Sequence, residues 1–317
     1  MRCLVCEHEL PGQGAIESGD PLGVAPGEFE VRICPGCGGG TTFPLVGAED
    51  LAAYYPDSYG PHSRSGLGVP MARAAMAARL HTRLFRRLRQ SVATSHRNGD
   101  RGTLLDIGSG SGDLGSVLAA QGWSVVGIDP SEEACELARS RGVDARHGTL
   151  ETVPLSRGSF DAVLFHHSLE HVPDPVGTLR SARSLLRDGG VAAIAVPNFD
   201  SRDRRRLGAA WWALDLPRHR FHFTPRSLRT ALERAGFQPR WLRPTASVLG
   251  PAASSQQRRR GRMETSGARF LIGYGGSLAT YPPRWAVAEM TGDGEFIAAL
   301  AAGPSPVSGN GRSSDAT

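Results

Sequence analysis

The chain has 317 residues, 40% of them apolar, which is enough for about two domains with packed cores. Its 40 Gly and 22 Pro are too few for a low-complexity chain. All 36 basic residues are Arg, and the net charge of +5 only weakly indicates an anionic partner. Since no apolar run reaches the roughly 18–20 residues of a membrane span and the start contains no signal peptide, we expect a soluble, cytoplasmic protein with reduced cysteines.

Residues 1–60 contain two C-x-x-C pairs. Each pair presents two thiolates on a tight turn, and two pairs together form the tetrahedral four-sulfur site of a zinc ribbon. Such a site has no open coordination position, so we expect a structural zinc ion that stabilises a module with few large apolar residues. The predicted zinc ligands are Cys3, Cys6, Cys34 and Cys37.

Residues 61–100 are predicted to form a linker region with an amphipathic helix over 70–90. From 101 to 302, short apolar runs alternate with helical patterns, which is typical of a parallel sheet covered on both faces. The stretches near 197–224 and 244–290 are less regular, and we interpret them as lid insertions. The small, polar residues 303–317 are predicted to be a disordered tail.

Seven predicted strands define the larger domain. They are Leu104–Ile107, Val125–Ile128, Val143–His147, Phe160–Phe165, Val191–Val196, Phe237–Leu242 and Glu295–Leu300. Helices are predicted over 113–121, 131–141, 175–187 and 225–235, the last with Thr224 as its cap. The expected fold class is α/β, with a Rossmann-like, doubly wound, mostly parallel seven-stranded sheet after a small zinc-ribbon-like module.

A glycine-rich turn follows the first of these strands, in the sequence LLDIGSGSG over 104–112. Backbone without Cβ atoms can press against a ligand, and a helix N-terminus with its positive end comes next. Asp129 ends the second strand, where a carboxylate can bind both hydroxyls of a ribose. The stretch GSGDLG also fits G-x-G-x-x-G, so this loop alone would suit a nicotinamide-dependent dehydrogenase as well.

Further motifs separate these two interpretations. Asp106 lies inside the strand, and glycines alternate at 108, 110 and 112. The stretches LDIGSGSG, GIDPS, SFDAVLFHHSLEHVPDP and LLRDGGVAAIAVPN follow one another along the chain. With these motifs the chain resembles the class I S-adenosylmethionine (SAM)-dependent methyltransferases, in particular their small-molecule branch, over about 101–302.

The resemblance implies SAM as the cofactor and assigns residues to it. Gly108, Gly110 and Gly112 would line the methionine part, with Asp106 fixing the loop, and Asp129 would hold the ribose hydroxyls. Pro130 would flank the adenine, Leu150 would meet the adenine edge, and His166 would face the cofactor. The family often has Asp after the glycine of the third-strand loop, whereas here Gly148 is followed by Thr149, which can still accept a hydrogen bond.

Methyl transfer from a sulfonium mainly requires alignment of the acceptor, and an oxygen acceptor also needs a base. The resemblance makes His171 the first candidate base, and His167 is a second. Aromatic, Arg and His residues over 211–225 favour a small ring-bearing or sugar acceptor. A cluster of Tyr54, Tyr55 and Tyr59 would either close over the acceptor or pack between the two modules. We therefore expect methyl transfer to a small molecule, at an oxygen of a sugar or of an aromatic or polyketide-like compound.

Two alternatives stay open. The cysteine module, the Arg-rich helix over 70–90 and the Arg run over 258–262 would suit an RNA methyltransferase, although no pattern of a known RNA-binding module is present. A non-catalytic binding protein with the same fold is the second alternative. We expect zinc chelation to unfold residues 1–60 and leave SAM affinity largely intact. The acceptor, the methylated atom and the oligomeric state do not follow from the sequence.

Overall fold

The structure is a computed structural model that describes residues 1–24, 26–47, 50, 52–55, 83–93, 101–246, 253–255, 257–258, 276 and 279–303. The strands in these ranges are β1 (Ile16–Gly19), β2 (Glu28–Ile33), β3 (Gly40–Phe43), β4 (Thr103–Ile107), β5 (Ser124–Asp129), β6 (Asp144–His147), β7 (Phe160–His166), β8 (Leu186–Pro197), β9 (Phe221–His222), β10 (Gln238–Thr245) and β11 (Phe296–Ala302). The helices are α1 (Arg83–Ala93), α2 (Asp113–Ala119), α3 (Glu132–Ser140), α4 (Pro175–Leu185), α5 (Arg202–Leu207), α6 (Pro225–Arg234) and α7 (Tyr281–Thr291).

The larger sheet has seven strands in the order β10-β11-β8-β7-β4-β5-β6. β4, β5, β6, β7 and β8 pair in parallel, and β11 runs antiparallel to both of its neighbours. Strand β4 lies between β5 and β7. The strands that follow β4 along the chain are first added on its β5 side and then, from β7 onward, on its other side. Ligands bind at the carboxyl ends of the strands at such a switch point. The predicted α/β class with a mostly parallel seven-stranded sheet is confirmed.

Local sequence signals explain most element boundaries. Helix α6 begins after Thr224, whose hydroxyl accepts from the backbone N–H of Ser227 at 3.1 Å, and Pro225 occupies its first turn. The helix predicted over 175–187 ends at Leu185, because β8 starts at Leu186 rather than at Val191. The pairing of β7 with β8 shifts register between Phe160 and Ala162, so the glycine-containing start of β8 forms a bulge.

A second, antiparallel sheet has the order β1-β2-β3-β9. Its fourth strand comes from the predicted lid, since Gly40 pairs with His222 and Thr41 with Phe221. The N-terminal module and the lid therefore share one sheet. The buried cysteines near the N-terminus also belong to the same apolar cluster as Phe221 and the core of the larger sheet.

Several predicted segments extend outside the described residues. The described part of the helix predicted over 70–90 begins at Arg83, and it continues to Ala93 with Leu84, Phe85 and Leu88 buried. Most of the lid predicted over 244–290 and the tail after residue 303 are not described. No helix in the described part of the chain is long and apolar enough to cross a membrane.

Candidate active site

The glycine-rich turn lies at the carboxyl end of β4, where the sheet topology places a ligand site. Gly108, Gly110 and Gly112 all have left-handed backbone, with φ of 75°, 51° and 73°. A Cβ at Gly108 would lie 2.5 Å from the Cβ of Ser168, a distance that real side chains do not tolerate. The Ser168 hydroxyl in turn donates to the carbonyl of Ile107. Gly108 therefore lets this turn pack directly against the loop after β7.

Asp129 ties the end of β5 to the glycine-rich turn. Its side chain is buried; one carboxylate oxygen accepts from the backbone N–H of Gly110 at 2.8 Å, and the other accepts from Ser131 at 2.9 Å. A carboxylate can accept more than two hydrogen bonds, including one from a ligand hydroxyl. The carboxylate thus holds the turn in place and remains chemically suited to a ribose.

Asp106 lies two residues before Gly108, inside β4. It is buried, and burial together with the charge of Asp129 raises the pKa of its carboxyl to about 7. An acid in this environment is largely protonated when the protein is folded at mildly acidic pH.

We expect the Asp106→Asn substitution to stabilise the protein at high pH. Because the folded pKa of about 7 exceeds the unfolded value of 3.8, the contribution of Asp106 to stability is full below about pH 4 and is lost as the pH rises to about 7. The variant cannot ionise, so its advantage should grow from about pH 4 to about pH 7 and then stay level, with a ceiling of about 4 kcal/mol.

Urea unfolding of both proteins at several pH values measures this difference. Replacement of the exposed Asp144 by Asn controls for loss of a surface carboxylate. An Asp106→Asn advantage that stays constant with pH would contradict the assignment of a shifted pKa to Asp106.

The other residues predicted to hold the cofactor line the same carboxyl edge. Pro130 is exposed directly after β5, and Leu150 is partly buried against the core. His166 ends β7, with its ring centroid 4.7 Å from that of His167. Thr149 is exposed and its hydroxyl accepts from the backbone of Glu151 at 3.3 Å, so here it stabilises a local turn.

His167 is held in a strained backbone conformation. Its φ is 58°, and its backbone N–H donates to the carbonyl of Ala195 at 2.9 Å. Its Nδ1 lies 3.5 Å from a carboxylate oxygen of the buried Glu170, and its ring centroid lies 4.4 Å from that of Phe296. A carboxylate at this distance orients the imidazole ring.

His171 faces the lid. Its Nδ1 lies 3.0 Å from the hydroxyl of Tyr55 and 3.1 Å from the carbonyl oxygen of Arg218. Burial, with a contribution from His219, lowers the pKa of His171 to about 4. The imidazole is therefore neutral near pH 7, and its Nδ1 is engaged by the lid and by Tyr55, whereas Tyr59 lies outside the described residues.

A buried ionic network that our sequence analysis missed surrounds these histidines. The Arg218 guanidinium is fully buried and donates to Asp215 at 2.7 Å, to Asp20 at 2.6 Å and to the carbonyl of Tyr54 at 2.7 Å. Glu170 is buried beside His167. Asp20 and Arg218 lie 198 positions apart, so no local sequence pattern predicts their pairing.

The four predicted cysteine ligands meet at one point. The sulfurs of Cys3 and Cys37 are 3.6 Å apart, those of Cys6 and Cys34 are 3.4 Å apart, and all four lie within 4.8 Å of one another. These distances exceed a disulfide bond and are close to the roughly 3.8 Å expected between sulfurs around one tetrahedral zinc ion. The cluster fits a closed metal site.

The glycine-rich turn, the acid after β5 and the sheet order define a class I SAM-dependent methyltransferase. A family model described as "Methyltransferase domain" matches residues 76–240, more than half of the chain. The chain belongs to this family.

Relatives with curated names support the same family. "Ubiquinone biosynthesis O-methyltransferase" of Dinoroseobacter shibae is 33% identical over 148 residues, which cover 43% of this chain and 60% of the relative. The protein of the same name from Aromatoleum aromaticum is 34% identical over 160 residues, 46% of this chain and 66% of the relative. The chain thus spans less than two thirds of the length of these relatives.

Solved structures with a similar chain include a Thermotoga maritima protein described as "SAM-dependent methyltransferase, possible histamine N-methyltransferase". It is 22% identical, has a TM-score of 0.46, and the match covers 75% of this chain and 96% of that one. A putative sarcosine dimethylglycine methyltransferase from Galdieria sulphuraria is 14% identical, with a TM-score of 0.48 over 74% of this chain and 85% of that one.

Proposed function

We propose that the protein transfers a methyl group from SAM to an oxygen of a small-molecule acceptor, a sugar or an aromatic or polyketide-like compound. The observation that carries this proposal is the direct contact between the glycine-rich turn and the loop after β7. Gly108 packs on Ser168, and His167 and Glu170 lie in that same loop. A cofactor on the turn would therefore face ionisable side chains suited to an acceptor hydroxyl.

SAM, when bound, supplies an electrophilic methyl group. Gly108, Gly110 and Gly112 would contact its methionine part, since their turn has no Cβ atoms to block a close approach. Asp129, with Asp106 behind it, would hold the turn and accept from the ribose hydroxyls. For the adenine end we propose contacts from Pro130, Leu150 and His166 at the same edge of the sheet.

For the acceptor we propose His167 as the base, with Glu170 orienting its ring. The 3.5 Å approach of Glu170 to Nδ1 supports this role, because a carboxylate there would stabilise the imidazolium formed when Nε2 takes the acceptor proton. His171, the first candidate from the sequence, is less suited, since its Nδ1 is engaged and its pKa is low. The relatives named as O-methyltransferases support oxygen as the methylated atom.

We further propose that Cys3, Cys6, Cys34 and Cys37 hold a structural zinc ion. The distances between the sulfurs support four thiolate ligands around one ion. With all four positions occupied by protein, this ion would have no place for a substrate. Its role would be to hold the antiparallel sheet that β9 completes.

The His167→Gln variant tests the proposed base. We expect methyl transfer from labelled SAM to a reactive acceptor, found in a panel of hydroxylated aromatic compounds and sugars, to fall about 100-fold or more. Binding of S-adenosylhomocysteine should change little, because the glycine-rich turn is intact. Replacement of the exposed His147 by Gln is the matched control and should leave the rate unchanged.

Two results would count against the proposal. One is SAM binding without transfer to any member of a broad panel. The other is a His167→Gln variant that keeps the wild-type rate across the pH range.

A further inference from the structure

Glu170, His171 and His219 form a second cluster of potential metal ligands, away from the cysteines. One ligand atom from each of the three residues lies within 4.8 Å of the others. Glu170 and His219 are buried, and His171 is half-buried. Two imidazoles and one carboxylate are a ligand set that binds divalent transition-metal ions.

Both imidazoles have one nitrogen fixed by backbone. His171 Nδ1 lies 3.1 Å from the carbonyl oxygen of Arg218, and His219 Nδ1 lies 2.9 Å from that of Ala213. A carbonyl only accepts, so these contacts favour a proton on each Nδ1, and Nε2 of a neutral ring would then offer its lone pair to an ion. The Tyr55 hydroxyl, 3.0 Å from Nδ1 of His171, can accept from the same nitrogen. A ligating histidine commonly has this arrangement, in which an outer carbonyl fixes the tautomer and the ring orientation.

The carboxylate of Glu170 is buried, and its contacts with neighbouring side chains are long. Its side chain is 2% exposed, and neither oxygen has a hydrogen-bond partner within the part of the chain that the structure describes. His167 Nδ1 and His219 Nε2 approach one oxygen only to 3.5 and 3.9 Å. Long contacts compensate a buried carboxylate poorly, so a cation between Glu170 and His219 would stabilise it.

The charges around the cluster also favour a cation. Asp215 lies 3.8 Å from Nε2 of His219 and is paired with Arg218, which also binds Asp20. Together with Glu170, this connected set has three carboxylates and one guanidinium. Carboxylates therefore outnumber guanidinium groups among these contacts, which favours a cation at the cluster.

We propose that Glu170, His171 and His219 bind a divalent transition-metal ion of the zinc or manganese type. Three protein ligands leave at least one coordination position open, as in catalytic rather than structural zinc sites. An acceptor oxygen in that position would lose its proton more readily. This last step rests on the proposed function, whereas the metal site itself does not.

The metal content of the full chain tests the proposal without SAM or acceptor. The protein is dialysed against Zn²⁺, and bound zinc is counted by elemental analysis. We expect two ions per chain in the wild type and one in the Glu170→Gln and His219→Gln variants, with the affinity for the second ion reduced by about tenfold or more. Mn²⁺ added to the zinc-bound protein should compete at the second site only, because thiolates favour zinc.

The exposed pair of His147 and Glu132 provides the matched control, since its 3.1 Å contact is also between imidazole and carboxylate. The His147→Gln variant should keep both ions. Retained S-adenosylhomocysteine binding shows that each variant is folded. A wild type that binds one Zn²⁺ and no Mn²⁺ would overturn the proposal, as would equal metal content in all three variants. A wild type that binds two ions but transfers no methyl group to any acceptor would instead count against the proposed function.

Discussion

Removal of the zinc ion that we propose for the cysteine cluster is expected to unfold the lid together with the N-terminal module. The cause is strand pairing, because β9 completes the antiparallel sheet through Gly40–His222 and Thr41–Phe221. In addition, the hydroxyl of Thr224 lies 3.4 Å from the carbonyl of Cys37, and Arg234 donates to the carbonyl of Val5. This differs from the expectation drawn from the sequence, in which the effect of chelation stays within residues 1–60.

The size of the effect follows from zinc-dependent folding. A structural four-thiolate site contributes on the order of 10 kcal/mol of apparent binding free energy, which equals the whole stability of a typical domain. Chelation should therefore remove hydrogen-exchange protection from β3 and β9. The amides of β4 and β5 should remain protected, because these strands pair in the centre of the larger sheet.

Hydrogen exchange with and without chelator, in the wild type and in a Cys34→Ser variant, measures this pattern. Cys135 is a buried cysteine on α3, outside the cluster, and Cys135→Ser is the matched control that should keep its metal. If β9 kept its protection after chelation while β3 lost it, the shared sheet would not be a cooperative unit.

Substitution of Arg218 is expected to cost the most among single changes in the lid. Its side chain is 0% exposed and satisfies Asp215, Asp20 and the carbonyl of Tyr54. An Arg218→Met substitution would leave two carboxylates buried without their cation. Removal of one partner from a buried ionic pair typically destabilises a protein by about 3–5 kcal/mol.

Urea unfolding measures this cost, and the chain offers a matched control. Arg205 also pairs with two carboxylates, those of Asp200 and Asp293, but its side chain is 48% exposed. Arg205→Met should cost no more than about 1 kcal/mol. Equal costs for Arg218→Met and Arg205→Met would contradict the account of a buried network that joins the N-terminal module to the lid.

The parts of the fold that were predicted depend on signals within short stretches of sequence. The strands of the larger sheet are apolar runs between turns, and the start of α6 is encoded by Thr224 and Pro225. Glycines at 108, 110 and 112 predict the turn because their left-handed φ angles need residues without Cβ. The cysteine cluster follows from spacing alone.

The parts that were missed depend on pairing between distant residues. The union of β3 and β9 joins residues about 180 positions apart, and a two-residue strand has no periodicity of its own. Glu170 also shows no sequence signal of burial, since an isolated Glu is usually exposed. Both features depend on how the lid folds back over the sheet, which the pattern of a single segment does not encode.

Binding of the cofactor to the glycine-rich turn is the central claim, and calorimetry tests it most directly. SAM and S-adenosylhomocysteine are titrated into the wild type and into an Asp129→Ala variant, with NAD as the control ligand. We predict one site for each sulfur ligand, an affinity about 100-fold lower in the variant, and no heat with NAD. Absence of binding by both sulfur ligands, or equal affinity in the variant, would contradict the assignment of this turn as a SAM site.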